Sequence, residues 1–306
     1  MMNKRTIALL SLLVVSVIWG AASPIVKYTL TWFDPWIFLT YRFALSTLIA
    51  IPYLWGTHAA LPRKSRDVLL VILTGFVSAP LSLWLFFEAL TKTTALSGSL
   101  LTAIGPLMLV LGGRFYFHDR LGKNERIGIA IALVGALVTV FGPLIMNGHP
   151  DTLGKFEGNL IMLIATLTDA AAALLSKACL RRGIKPGLVA QLQFVIGLFI
   201  FVPLMFLKHS PMDVAVAFAH APLVAHLGAF FMAAISGSFA YTLRDKGLRA
   251  IEVSEAAVFS YLQPLWAALL AVIWLHESVT LSYLTGGAII AIGVFFAEKR
   301  NRRLKT

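Results

Sequence analysis

Asp169 stands about ten residues into an apolar run over 159–178, with Thr166 and Thr168 beside it. A carboxylate among apolar side chains must face a polar partner or water, or hold a proton. It is therefore a candidate for binding an amine or exchanging a proton. Glu88, one turn after Trp84 in the run 68–89, has the same two options, against a plain ion pair with Lys92 at i+4. Arg42 lies six residues into the run 36–56 and could attract an anionic group. Its structural alternative is an ion pair or snorkelling, because only about 9 Å of helix separates it from the start of the run. Glu252 and Glu255 open the run 253–275, where acidic groups complement a helix dipole. Glu255, a little deeper, stays a secondary candidate.

Aromatic and amide side chains inside the runs form a second group. Trp19, Tyr241, Tyr261 and Gln263 are the candidates for shaping a pocket; the two tyrosine hydroxyls need partners, and Gln263 directly precedes Pro264. Trp84 and Trp266 are also internal, and read as packing. Pro106 and Pro264 would each bend a helix and free a carbonyl, suiting a hinge or a static kink. Other chemistries have no residues to carry them. Cys179 is the single cysteine, so no intramolecular disulfide can form. There is no HExxH pair, no Gly-rich phosphate loop and no catalytic grouping of His, Asp and Ser in the sequence. No cofactor is expected, and the chain does not read as an enzyme.

The elements that hold these residues follow from composition. Of 306 residues, 58% are hydrophobic and 13% charged, with a mean hydropathy of +0.83. A soluble domain is about 45–50% apolar and about 25% charged, so a water-soluble enzyme is excluded. Spanning a bilayer takes about 20 apolar residues. Ten runs qualify: 6–26, 36–56, 68–89, 95–116, 126–146, 159–178, 188–207, 222–243, 253–275 and 281–298. Lipid leaves no water for an open backbone, and no ten-residue alternation suggests a barrel, so the runs read as helices. The first is too long for a signal peptide core and reads as a retained span.

The charge distribution orients them. Lys+Arg is 26 against Asp+Glu 14, a net charge of +12. Twenty of the 26 cations fall at the N-terminus and in 57–67, 117–126, 177–187, 244–250 and 299–306. The alternate loops hold Lys27, Lys92, Lys155 and Lys208, while Arg42 and Arg114 lie within runs. Positive loops stay in the cytoplasm, so both termini are expected there. The charge thus records topology, and no nucleic-acid partner is implied.

The two halves repeat. At an offset of 158, Pro106 meets Pro264, His118-Asp119 meets His276-Glu277, Gly128 meets Gly286 and Gly135 meets Gly293. At 151, Pro35 meets Pro186 and Pro52 meets Pro203; at 150, Lys27 meets Lys177 and Trp19 meets Asp169. Each half, 1–150 and 151–306, carries five runs. Five is odd, so the second copy must insert upside down. The loops trade charge accordingly: the turn holding Arg120, Lys123 and Arg126 has a counterpart at 276–281 without Lys or Arg.

The stretches IGPLMLVLGGRFYFHDRLGKNERIGIAIALVGALV (104–138) and LQPLWAALLAVIWLHESVTLSYLTGGAIIAIGV (262–294) resemble the paired repeats of the drug/metabolite transporter superfamily, EamA type. Trp19-Gly20 and Arg42-Phe43 resemble that family's opening helices. His118-Asp119 and His276-Glu277 depart from the usual Gly-Glu turn and read as turn residues at the membrane surface. The resemblance implies an all-α membrane protein of ten transmembrane helices in two five-helix inverted repeats. It implies an inner-membrane secondary transporter that exports small metabolites, amino acids first, by alternating access. The expected partners are a small-molecule substrate, the lipid bilayer and a candidate coupling proton, with the chain a monomer or dimer. The expected cavity lies between runs one, three, four, six, eight and nine. A lipid or lipid-linked sugar translocator, and efflux of hydrophobic or cationic drugs, are the competing readings.

Overall fold

The computed structural model describes residues 4–56, 61–117, 122–145, 154–240, 243 and 259–298, and every regular element among them is helical. Proline explains where several helices stop. It lacks the N–H that would bond the carbonyl four residues back, and its ring crowds that carbonyl. Helix α1 (Lys4–Gly20) ends four residues before Pro24, and α2 (Ala22–Thr29) continues the same apolar segment. Helix α4 (Ser65–Phe76) ends four residues before Pro80, where a π-helical stretch (Val77–Leu81) leads into α5 (Ser82–Lys92). Helix α6 (Ala95–Thr102) ends four residues before Pro106, and α7 (Gly105–Phe117) resumes after turn residues 103 and 104. The same break recurs at 261 and 262, after helical residues 259 and 260 and before α13 (Gln263–Ile273), so that the helix again stops four residues before a proline, Pro264. Pro52 and Pro203 sit inside α3 (Pro35–Gly56) and α10 (Pro186–Lys208) without ending them.

The remaining long helices are α8 (Lys123–Ile145), α9 (Phe156–Arg181) and α14 (Leu281–Glu298). Between α10 and α12 (Leu223–Phe230) lies a short helix, α11 (Pro211–His220). Ser210 and Asp213 form a reciprocal capping box at its start. Two hydrogen bonds from Ser210 hold the Asp213 carboxyl below the usual carboxylate range. A second π-helical stretch (Phe231–Phe239) extends α12, and α11 meets the combined helix at 107°. Among the described residues, seven helical segments are long and apolar enough to cross a membrane, eight if the bent pair counts as one. Two shorter apolar helices, Gln263–Ile273 and Leu281–Ala297, follow.

The core is aromatic: Phe33, Phe38, Phe43 and Phe87 are fully buried in one continuous cluster. Large apolar side chains also cover the outside, with Phe199 77% and Leu207 81% exposed. In water such a surface would aggregate; against acyl chains it is the solvated face.

Helices α8 and α14 pack along one another through four glycines. A methyl on Gly128 would strike the backbone of Gly293 and Ala297, and one on Gly293 would strike the backbone of Gly128 and Ala132. A methyl on Gly135 would come within 2.8 Å of the Gly286 carbonyl, and one on Gly286 within 3.1 Å of the Gly135 carbonyl. The glycines that correspond in sequence are therefore not the ones that touch. Gly128 touches the counterpart of Gly135, and Gly135 touches the counterpart of Gly128.

Candidate functional site

Span one is where several of the sequence candidates meet. Gly20 lets it approach α13 closely: a methyl there would lie 2.8 Å from the Gln263 carbonyl and 2.6 Å from Cβ of Trp266. The Trp266 indole donates to Ser16 Oγ at 3.1 Å. The Trp19 indole donates to the Ser236 carbonyl at 3.0 Å, inside the second π-helical stretch. π-Helical turns are rare and often sit at functional sites, and this one accepts a hydrogen bond from a side chain 217 residues away. Trp19 and Gln263 are thus brought to one crossing, with Tyr261 half-buried two residues earlier and packed on the core. Tyr241, Glu252 and Glu255 lie outside the described residues.

Asp169 is on α9 and exposed at the helix surface. Thr166, one turn earlier, sets its methyl 3.6 Å from where a Cβ on Gly105 would stand, next to Pro106. Asp169 is therefore carried on the helix that lines the break in the fourth span. Arg42 is buried, 4% exposed, with its guanidinium 5.7 Å from the centroid of the Phe87 ring. It belongs to the aromatic cluster between α3 and α5. Glu88 takes the ion-pair option: its carboxylate lies 3.1 Å from Lys92 Nζ, and Lys92 also reaches Glu157 at 2.7 Å.

That pair is part of a larger polar assembly not anticipated from the sequence. Here the end of α2, the turn between α5 and α6, the start of α9 and the turn between α13 and α14 converge around a cavity of about 360 Å³. Lys27 Nζ donates to the carbonyls of Leu90 and Thr93, at 2.6 and 2.5 Å. Glu277 accepts from the backbone N–H groups of Ala95 and Leu96, at 2.7 and 2.9 Å. The 90–96 turn is thus held by a cation on its carbonyl end and an anion on its N–H end. Both charges match the helix-end partial charges they meet. The Thr93 hydroxyl bonds Asn159 Oδ1, Asn159 Nδ2 donates to the Thr139 carbonyl at 3.2 Å, and Tyr28 stacks on Trp274 at 4.8 Å. Glu277 occupies the turn read from the sequence as a bland surface feature. The signal was its place before a short loop in both repeats, but a partner 181 residues away leaves no local trace. At the opposite end of the molecule, Arg182 pairs with Asp67 at 2.8 Å and Gly187 abuts Tyr53.

Among the described residues no group of three His, Cys, Asp or Glu is placed to hold a metal ion.

Comparison with known proteins bears on the whole chain. Residues 6–141 and 156–298 each match the model of the EamA-like transporter family. The chain is 22% identical over 287 residues to the uncharacterized transporter YyaM of Bacillus subtilis (strain 168), covering 92% of this chain and 90% of that one. It is 24% identical over 297 residues to a protein of Salmonella typhimurium (strain LT2) named as a probable amino-acid metabolite efflux pump, covering 95% and 94%. A solved crystal structure shares its fold at 17% identity, with a TM-score of 0.65 over 98% of this chain and 99% of that one. Multiple apolar helices and two family matches along one chain make this a multi-pass membrane protein that belongs to the EamA-like transporter family.

Proposed function

We propose that the protein is a ten-span inner-membrane carrier that exports small metabolites, with amino acids the leading class, by alternating access. Its two halves, 1–150 and 151–306, insert in opposite orientations, with both termini cytoplasmic. The observation that carries this reading is the matched pair of helix breaks, 103–104 and 261–262, each just before a proline at equivalent positions in the two halves. Segments that can flex at corresponding depths in inverted halves are what rocking about a central site requires. The exchanged glycine contacts between α8 and α14 support the inversion, because a two-fold axis in the membrane plane swaps each pair with the other. The segregation of 20 cations to one set of loops supports the orientation. The name of the Salmonella relative supports amino acids as cargo.

In this reading Asp169 meets the substrate amine or a coupling proton. Trp19, Tyr241, Tyr261 and Gln263 shape the pocket, and Pro106 and Pro264 permit the motion. Glu88 serves the ion pair with Lys92. Arg42 supports the aromatic core by its contact with Phe87. Uptake into proteoliposomes, with a panel of amino acids as competitors, tests the reading. Competition by at least one amino acid, abolished in Asp169→Asn, is the expected result. Failure of every amino acid to compete moves the cargo to lipids or hydrophobic drugs. Undiminished transport in Asp169→Asn removes that residue from the mechanism.

A further inference from the structure

The clamp on the 90–96 turn is more than a set of helix caps, because its charges come from elsewhere in the fold. Lys27 is delivered by the end of span one. Glu277 is delivered by the turn between α13 and α14, in the other half of the chain. Glu277 and Lys27 line the same cavity. Three elements that a carrier must separate to open this end are therefore joined through one short turn. Hydrogen bonds with one charged partner are about twice as strong as neutral ones. The four bonds here are the 2.5–2.9 Å contacts already described.

We propose that Glu277 and Lys27 are the gate of this membrane face, and that the structure holds it shut. This rests on the alternating-access reading above and adds the residues that close one side. Opening begins when the Glu277 carboxylate leaves the first turn of α6. That removes the charged tie between the α13–α14 turn and α6, the apolar contact of Ala95 and Leu96 with Ala271 parts with it, and Lys27 then releases the end of α5. The neighbouring bonds of Lys92 with Glu157 and of Thr93 with Asn159 also cross between halves and part in the same movement. They join only that one turn to the start of α9. Glu277 ties the α13–α14 turn to it through paired backbone donors.

Cysteine accessibility tests the gate without a substrate. In a Cys179→Ala background, Ser99→Cys places a thiol one turn beyond the clamped N–H groups, at a position only 4% exposed. Ser46→Cys, also buried, reports on the bundle at α3. A membrane-impermeant thiosulfonate is applied from the Lys27 face of reconstituted vesicles. Labelling of Ser99→Cys should be slow, and should accelerate about tenfold in Glu277→Gln and in Lys27→Met, the order expected for losing one charge-assisted bond. Ser46→Cys should label at the same rate in all backgrounds. No acceleration at position 99 in either variant overturns the gate. Equal acceleration at positions 46 and 99 also overturns it, since the bundle has then loosened as a whole. A responsive gate in a protein that moves no amino acid would leave the gate standing and send the cargo assignment back for revision.

Discussion

Asp169, Glu88 and Glu277 are three carboxylates in one oily chain, and their settings separate their roles. Glu88 is neutralised by its i+4 lysine, as spacing alone suggests. Glu277 is spent on two backbone donors. Asp169 stands exposed on α9 and is not among the residues lining the Lys27 cavity; its substrate role is the part of the proposal that Asp169→Asn tests. Trp19→Phe keeps the ring and removes the indole donor to Ser236. It should lower stability by about 1 kcal/mol, read as a thermal shift in detergent, by removing one long-range hydrogen bond. Asp213 gives a pH prediction. Its carboxyl is depressed in the folded protein by the Ser210 bonds, so the stability it contributes is present above the ordinary carboxylate range. That contribution is lost as pH falls through the lower folded value. Amide hydrogen exchange at the start of α11 should rise on acidification in the parent. It should be high and pH-independent, beyond intrinsic exchange, in Asp213→Asn.

At the scale of elements, proline does most of the punctuation. Pro24, Pro80, Pro106 and Pro264 each fall four residues after an α-helix stops. The rule is local but not sufficient: Pro52 and Pro203 lie inside unbroken helices, and of the four breaks only those at Pro106 and Pro264 are expected from the sequence. Pro264→Ala should restore the missing hydrogen bond and stiffen α13, lowering turnover more than apparent substrate affinity in the liposome assay. An equal effect on both would argue for a static kink. Other elements were less legible. Helix α11 lies between the apolar runs 188–207 and 222–243, where Ser210 and Asp213 carry a capping signal and Pro211 favours a first turn. Ten residues are too few for the periodicity that exposes longer helices. The π-helical stretch at Phe231–Phe239 has no proline behind it. Its carbonyl is taken by Trp19, a contact no window of neighbouring residues contains. The glycine seam can be tested in the same terms. Gly128→Ala meets backbone and should destabilise by about 1–3 kcal/mol, whereas Gly112→Ala meets only the end of the Leu174 side chain and should cost clearly less.

For the whole molecule, the sequence spoke most clearly where one physical rule acts along the chain. Apolar length marked the helices, and loop charge proposed the sidedness. The Lys27 assembly was not legible because it joins residues 27, 90–96, 159 and 277, which only folding brings together. Its existence sharpens the topology test. Reporters fused at Thr94 and at His276 should land on the same side of the membrane, opposite the N-terminus. A cytoplasmic signal at His276 would contradict the ten-span carrier.

The α8–α14 seam has a mechanical consequence. Backbone rests on backbone at Gly128 with Gly293 and at Gly135 with Gly286, with the Thr139 and Ile290 side chains packed beside the second contact. Neither helix can ratchet past the other without collision, so in the proposed carrier the seam would act as an axle, fixed while the proline-broken segments swing around it. A short covalent staple between α8 and α14 should therefore leave turnover intact, whereas the same staple between the α5–α6 turn and the α13–α14 turn should stop the machine.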